Sequence, residues 1–307
     1  MSNAVAISIQ AGFQQSMQVM RSSVQNLTSK QRQNLNALFL LLVLSGLTKQ
    51  KKAAGLSLLM NLFTFHFQAW PNKSDKFYDT TGAMTHFSLA LFSLFQRPKR
   101  PSPNQILNTI FSIVWVTRLG SFLYTRILIR NKDTRLDTIK HDYYSFMFAF
   151  IMQSIWCFLG QLPLLVSNSN EEEKVEELTW NRSETIGRLL FVLGFFIEAV
   201  SDAQKLAFQF KPENEDKFIR EGLWSLSRHP NHFGEICLQF GLTLSASKIF
   251  KSKLDNLAWL SPVFTTFLLT QVSGIPVLEK GGLKRWGTSP EYQEYLRNTP
   301  ILIPKLF

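Results

Sequence analysis

The stretch YYSFMFAFIMQSIWCFLGQLPLLVS at residues 143–167 decides the fold class, because it runs for 25 residues without a charged side chain. A helix needs about 20 apolar residues to cross the hydrocarbon core of a bilayer, with a range of about 17 to 25. Apolar side chains occupy most of the circumference of this helix, whereas a helix on a soluble domain shows a polar stripe. The stretch therefore predicts a membrane-spanning helix.

Apolar blocks of comparable length lie on both sides of this stretch. They cover residues 53–70, 82–96, 104–129, 186–210, 232–250 and 257–278, and a shorter block covers 35–47. We predict an all-α fold, a polytopic membrane helical bundle of about six to eight transmembrane helices that forms one domain over residues 35–307. A large soluble all-α core is the alternative, and the scarcity of polar stripes argues against it.

The composition agrees with a membrane protein. The 307 residues are 45% hydrophobic and only 18% charged, against about 25% charged for a typical soluble domain. The apolar content excludes intrinsic disorder, and two cysteines are too few for a disulfide scaffold. The net charge of +11 would suit a nucleic-acid binder. The apolar blocks favour a lipid bilayer as the partner instead, so we expect no nucleic-acid partner.

The N-terminal segment 1–34 contains no acidic residue and is rich in Ser and Gln. Transit peptides have this composition, although they carry more Arg. We expect a flexible tail, with a targeting segment as the alternative. The charges of the loops leave the orientation open, because two basic loops (49–52 and 97–100) and the acidic segment 168–184 fall on one side if every span is real.

A group of ionisable residues lies close together within the apolar block 186–210. Glu198, Asp202 and Lys205 lie within about 60° of one another on a helix, and a charge at mid-bilayer costs about 2.5–3.5 kcal/mol unless it faces a cavity or a partner. Gly187 and Gly194 lie on the same side, where a second helix or a ligand can approach. One interpretation is a polar cleft wall that holds a cofactor. The other is a Glu/Lys pair that neutralises itself.

The densest polar motif is GLWSLSRHPNHFGE at residues 222–235. Pro230 disfavours helix in the residue before it, and Asn231 suits a helix N-cap, so a helix is expected to begin here. The free N–H groups at such an end attract anions. The candidate residues for a phosphate or carboxylate site are Arg228, His229, Asn231 and Glu235. Five histidines in the chain are too few for a membrane di-iron enzyme, and we expect no metal.

Two other polar groups allow a structural or a functional interpretation. Arg118 and Arg126 interrupt the block 104–129 and predict either ion pairs with carboxylates or snorkelling to head groups. Tyr292 and Tyr295 lie three residues apart, on one helix face, near the C-terminus. They predict either a cover over a nucleotide or aromatic anchors of an interfacial tail.

Together these motifs resemble an uncharacterised branch of the steroid 5α-reductase C-terminal-like membrane superfamily. Sterol reductases and isoprenylcysteine carboxyl methyltransferases are its more distant relatives. The resemblance covers about residues 78–307. Its matching pieces are YDTTG at 78–82, WVTRLG at 115–120, DTR at 133–135, Glu198, DAQK at 202–205, GLW at 222–224, RHPN at 228–231, GE at 234–235, SGIP at 273–276, Glu279 and residues 292–299. The chain departs from the family at His232, where Tyr is usual, and near Leu238–Phe240, where a Trp pair is usual.

The resemblance implies a helical bundle with a cofactor cleft that opens to the cytosol. It implies a membrane oxidoreductase that uses NADPH to reduce a C=C or C=O bond of a lipid or steroid-like substrate. An S-adenosylmethionine-dependent methyltransferase and a catalytically silent membrane subunit are the alternatives. The implied cofactor-binding residues are Asp202, Lys205, Arg228, His229, Asn231, Glu235, Tyr292 and Tyr295, and the candidate proton donors are Tyr78 and Glu198. The endoplasmic reticulum membrane is the expected location, with a mitochondrial membrane as the alternative.

Overall fold

The computed structural model describes residues 27–96, 100–130, 136–170 and 181–305, without the side chains of 128–130, and every regular element in these ranges is helical. The helices are α1 (Ser29–Leu47), α2 (Lys51–Thr64), α3 (Tyr78–Phe95), α4 (Pro103–Arg130), α5 (Tyr143–Ser169), α6 (Arg182–Phe210), α7 (Leu223–Leu226), α8 (Pro230–Ala246), α9 (Leu260–Phe267), α10 (Ile275–Trp286) and α11 (Pro290–Asn298). A π-helical turn, Phe65–Ala69, extends α2 to Asn72, and another, Leu268–Val272, follows α9.

Three helical stretches of the described chain are long and apolar enough to cross a membrane, namely Pro103–Ile127, Tyr143–Ser169 and Lys253–Trp286. The all-helical class is confirmed, because every regular element of the described chain is a helix. The three apolar stretches are consistent with a membrane protein. The other predicted spans form helices that are shorter or more polar. For example, α8 has only 17 residues, and α6 carries the three ionisable residues noted above. The count of six to eight spans stays a prediction.

The central helix of the bundle is α5, the stretch that decided the fold class. It packs against α1, α2, α3 and α9, and 89% of its most apolar window is buried inside the protein. Phe158, Leu162 and Leu165 belong to the largest core cluster and are fully buried. The apolar character of α5 on all sides thus reflects burial among other helices.

Polar side chains inside the bundle bond to one another across helices. Asn168 of α5 donates to the hydroxyl of Ser93 at 2.7 Å and to that of Thr109 at 3.0 Å. Gln161 bonds to a ring nitrogen of His86 at 3.1 Å. Because each bond joins different helices, these residues fix the lateral arrangement of α3, α4 and α5 without exposing polar groups to the hydrocarbon region.

The first described helix begins inside the segment predicted as a tail. Thr28 caps α1 in a capping box with Gln31. Asn34 then donates to the carbonyl oxygen of Tyr144 in α5 at 3.0 Å. Residues 29–34 are therefore helical and attached to the bundle, and residues 1–26 lie outside the described part of the chain.

The closest helix pair is α6 and α8, which cross at four glycines. A Cβ atom added at Gly194 would lie 2.5 Å from the carbonyl oxygen of Gly234, and one added at Gly187 would lie 2.7 Å from that of Gly241. No real side chain fits at these distances, so the backbones touch directly. The pairing is antiparallel, and it places the last turns of α6 beside the first turn of α8. The approach of a second helix, predicted from Gly187 and Gly194, is confirmed.

The backbone contact between α6 and α8 predicts that two Gly→Ala substitutions differ strongly in their effect on stability. Gly194→Ala is expected to lower the free energy of unfolding by about 1–3 kcal/mol, because the added methyl group forces α6 and α8 apart. Gly55→Ala is the matched control, since a Cβ at Gly55 in α2 meets nothing within 4 Å, and it is expected to be neutral or stabilising. Thermal unfolding of both purified variants in detergent tests this. Equal melting temperatures of the two variants would contradict the direct contact between the backbones of α6 and α8.

Candidate functional site

A pocket of about 590 Å³ opens where the end of α6, the start of α8, α10 and α11 meet. Its walls hold seven of the eight residues predicted to bind a cofactor, namely Asp202, Lys205, Arg228, His229, Asn231, Tyr292 and Tyr295. Glu235, the eighth, lies one turn further along α8 and does not line the pocket. Residues separated by up to 93 positions in the sequence are thus brought to one cavity.

Cationic side chains outnumber carboxylates in the pocket lining, although Arg126 and Arg285 are paired with Asp79 and Asp216 outside it. Five Lys or Arg residues line it against two carboxylates, which gives an excess of cations among the described lining residues. The cations are Arg126, Lys205, Lys217, Arg228 and Arg285, and the carboxylates are Asp202 and Glu279. A small anionic molecule therefore complements this cavity better than a cationic one.

The backbone before α8 is held by the C-terminal segment. The N–H group of Arg228 donates to the carbonyl oxygen of Pro300 at 2.9 Å, and the hydroxyl of Ser227 donates to that of Leu302 at 2.7 Å. The hydroxyl of Tyr295 donates to the carbonyl oxygen of Trp224 at 2.7 Å. Arg228 and His229 thus reach the pocket from a rigid extended segment.

One carboxylate joins the two basic residues of the motif. The guanidinium group of Arg228 donates to Glu279 at 2.5 Å, and Nε2 of His229 lies 2.7 Å from the other oxygen of the same carboxylate. Burial lowers the pKa of His229, although the hydrogen bond that His229 donates to Glu279 acts in the opposite direction. His229 is therefore mainly neutral near pH 7.

Four buried polar atoms around the start of α8 have no hydrogen-bond partner among the described residues. They are Nε of Arg228, Nδ1 of His229, Oδ1 of Asn231 and Nε2 of His232. An unsatisfied buried polar atom costs about 1–3 kcal/mol, and such atoms are rare in proteins. All four residues line the pocket. They are concentrated at one helix N-terminus, where the first backbone N–H groups have no partner within the helix.

An aromatic wall faces the basic residues. The ring of Phe218 lies 4.9 Å from that of Tyr292 and 5.4 Å from that of Tyr295, measured between ring centroids. Burial raises the pKa of both tyrosines, so their hydroxyls stay protonated at neutral pH. Gly282 is required opposite Tyr292, because a Cβ there would collide with the Tyr292 hydroxyl. This wall offers flat surfaces for stacking on a ring.

Glu198 does not lie on the pocket wall. It is 2% exposed, forms an ion pair with Arg118, and accepts a hydrogen bond from the indole N–H of Trp115 at 3.0 Å. Arg118 also pairs with Asp202 at 2.7 Å. Arg118 therefore pairs with both carboxylates, and the Glu/Lys pair stays an interpretation. Lys205 also lies over the ring of Trp224, with its nitrogen 4.5 Å from the ring centroid.

Tyr78 lies away from the pocket as well. Its hydroxyl donates to the carbonyl oxygen of Ala149 at 3.0 Å, and its ring packs on Phe150. Its neighbour Asp79 pairs with Arg126 at 2.9 Å, and Arg126 lines the pocket. The structure thus brings neither predicted proton donor to the cavity.

A family model described as a protein of unknown function, DUF1295, matches residues 64–299. The chain belongs to the DUF1295 family. The matched region begins at the end of α2 and ends after α11, so it includes every helix that forms the pocket. No curated protein and no solved structure matches the chain.

Several pocket residues of this DUF1295 protein were not predicted. Lys217 and Phe218 lie in the irregular segment between α6 and α7, where no periodicity marks them. Glu279 and Arg285 lie on α10, where a run of charges is equally typical of a membrane-surface helix. Of these four residues, only Glu279 had a signal in the sequence, because it is one of the pieces that match the family. The piece DTR at 133–135 lies outside the described residues.

The Arg118 cluster predicts a strong effect on stability. Arg118→Met leaves Glu198 and Asp202 buried without their common partner, and we expect it to lower the free energy of unfolding by about 3–5 kcal/mol. Arg297→Ala removes an exposed cation from α11 and is expected to change it by less than about 0.5 kcal/mol. Thermal unfolding of both variants is the measurement. An Arg118→Met protein as stable as Arg297→Ala would refute the cluster.

Proposed function

We propose that this DUF1295 protein is a membrane oxidoreductase that uses NADPH to reduce a C=C or C=O bond of a lipid or steroid-like substrate. The supporting observation is the group of four unpartnered polar atoms at the start of α8, inside a cation-rich pocket. The pocket volume falls within the range of about 300–1,000 Å³ that is typical of ligand sites. Within the proposal, the bundle has six to eight spans and the pocket opens to the cytosol from the endoplasmic reticulum membrane.

The residues present fit a dinucleotide phosphate. Arg228 offers a free Nε donor, and the N–H groups of the first turn of α8 are available to phosphate oxygens. Lys205 adds a cation on the same side of the pocket. The aromatic wall of Phe218, Tyr292 and Tyr295 suits a planar heterocycle. When bound, the cofactor would supply a hydride, and the protein would supply orientation and shelter from water.

Glu198 acts through other residues in this proposal. It holds Arg118, and Arg118 holds Asp202, which faces the pocket and accepts a hydrogen bond from Asn231 at 3.3 Å. It is therefore a positioning residue and not the proton donor predicted from the sequence. Tyr78 precedes Asp79, which pairs with Arg126 of the pocket lining.

The charge of the pocket favours NADPH over S-adenosylmethionine. The cofactor NADPH carries several phosphate charges, whereas S-adenosylmethionine has no phosphate and carries a positive sulfonium group. Five cations in the lining complement the first molecule and repel the second. The methyltransferase and the silent membrane subunit are kept as outcomes of the test below.

Ligand-dependent thermal stabilisation tests the proposal. We expect NADPH to raise the melting temperature of the protein in detergent, since saturation at about 100 times the Kd adds about 2.7 kcal/mol. S-adenosylmethionine should have no effect. Arg228→Ala should weaken NADPH binding about tenfold to a hundredfold, because a charge-assisted hydrogen bond is lost. The shift is measured against the melting temperature of each variant without ligand.

Arg297→Ala is the control for this experiment, because it removes an equal charge from an exposed position of α11 that does not line the pocket. It should bind NADPH like the unaltered protein. Stabilisation by S-adenosylmethionine alone would support the methyltransferase, and no response to either molecule would support the silent subunit. Both results would overturn the proposal.

The lowered pKa of His229 predicts a pH dependence of binding. The imidazole is mainly neutral without ligand, and a nearby phosphate favours the imidazolium form, so binding takes up a proton. The affinity for NADPH should therefore rise as the pH falls from 8 to 6. His229→Gln, which cannot titrate, should remove this part of the dependence, as measured by titration calorimetry at each pH. Identical pH profiles for the two proteins would exclude His229.

A further inference from the structure

Glu279 of α10 occupies two donors that precede α8 at the pocket. One oxygen of its carboxylate accepts from Nη1 of Arg228 at 2.5 Å, and the other lies 2.7 Å from Nε2 of His229. All three residues line the pocket. An anionic ligand that approached these donors would therefore meet a carboxylate of the protein that is already in place.

The carboxylate lies on the pocket side of the two basic residues. The side chain of Glu279 keeps 20% of its surface exposed, against 15% for Arg228 and 6% for His229. Its attachment to the guanidinium is also incomplete, because Nε of Arg228 has no hydrogen-bond partner in the described part of the chain. A bidentate pair, which uses two nitrogens of one guanidinium, is stronger. The contact of Glu279 with Arg228 is therefore open to exchange.

Two anions cannot share these donors without repulsion. A phosphate that contacts Nη1 of Arg228 would come close to both oxygens of Glu279, and like charges at such a distance repel strongly in a partly buried site. The other carboxylate of the described lining, Asp202, is held from behind by Arg118. Glu279 is thus the carboxylate that an incoming anion confronts at Arg228.

We infer that Glu279 competes with the anionic ligand of this pocket: its carboxylate holds Arg228 and His229 while the pocket is empty and leaves them when a phosphate group binds. This inference rests on the anionic ligand of the proposed function, and it adds that the protein itself lowers the affinity of the site. Rotation of the Glu279 side chain is sufficient for the exchange, and no covalent bond changes.

The exchange serves both states of the pocket. Without ligand, Glu279 provides a charge partner for Arg228, and a buried charge without a partner is strongly destabilising. With ligand, the displaced carboxylate can return to the same donors and assist dissociation. Because differences in affinity at one site appear mainly in the dissociation rate, we expect Glu279 to accelerate ligand release.

A carboxylate that only positioned the two basic residues would act in the opposite direction. The ligand would then bind beside Glu279, and removal of the carboxylate would release Arg228 from its productive geometry and weaken binding. The competing role and the positioning role therefore predict opposite orders of affinity for the same variants.

Dissociation constants for NADPH and for inorganic pyrophosphate test the inference. Both probes are titrated calorimetrically into the full-length protein in detergent, at one pH and one salt concentration. Glu279→Gln keeps the shape of the side chain without its charge, and it should bind each probe about tenfold more tightly than the unaltered protein. Glu279→Asp keeps the charge on a shorter side chain and should give an intermediate affinity.

Glu294→Gln is the matched control, because it removes an equal charge from an exposed position of α11 outside the pocket lining. It should bind both probes like the unaltered protein, which separates the loss of a local competitor from a change in net charge. Melting temperatures without ligand confirm folding, and Glu279→Asp decides the matter if Glu279→Gln does not fold.

The two probes separate this inference from the proposed function. A probe that binds Glu279→Gln no more tightly than the unaltered protein would overturn the inference, and so would the failure of every protein to bind either probe. If none binds NADPH but pyrophosphate binds Glu279→Gln more tightly, the proposed function fails and the inference stands. If NADPH binds and Glu279→Gln weakens it, the proposed function stands and the inference fails.

Discussion

The structure depends on the direct backbone contact between α6 and α8. Two glycines on each helix, seven residues apart, meet their counterparts at distances that exclude any Cβ atom. This contact fixes both the separation and the register of the pair. The register in turn places Asp202 and Lys205 at the level of His229 and Asn231. If α6 were shifted by one turn along α8, about 5.4 Å, these residues would be separated and the pocket would lose this part of its wall.

The charged residues near this contact divide into two groups. Behind the pocket, Arg118 forms ion pairs with both Glu198 and Asp202, and the indole N–H of Trp115 donates to Glu198. In front, Arg228 and His229 share a single carboxylate and keep free polar atoms. The first group consists of buried ion pairs, although Nε of Arg118 also has no hydrogen-bond partner among the described residues. The second is under-satisfied by the described protein groups alone, which is the condition expected of a binding site.

The sequence predicted the helical class, the start of α8 and seven of the residues that line the pocket, because these follow from local signals. An apolar run, a proline in the first helical turn and a glycine pair all act within one helix. The predicted cap was wrong, because His229 is the N-cap and Asn231 lies inside the first turn of α8. The sequence did not predict the role of Glu198, because the position of Arg118 relative to Glu198 depends on how α4 packs on α6. The sequence also did not predict that Tyr78 lies away from the pocket, because its contacts with Ala149 and Phe150 depend on how α3 packs on α5. Phe218 was missed because an irregular segment has no period that reveals which side it presents.

The difference between the apolar blocks and the three span-competent helices has a physical cause. Helix α6 carries six ionisable side chains, and burying its Glu198 and Asp202 in an apolar medium requires the ion pairs that both form with Arg118 of α4. In contrast, α4 and α5 meet the requirements of a bilayer by composition alone. They also precede α6 in the chain. A partner for the buried carboxylates is therefore in place before α6 must be accommodated, and helices too polar to cross a membrane alone become stable within the assembled bundle.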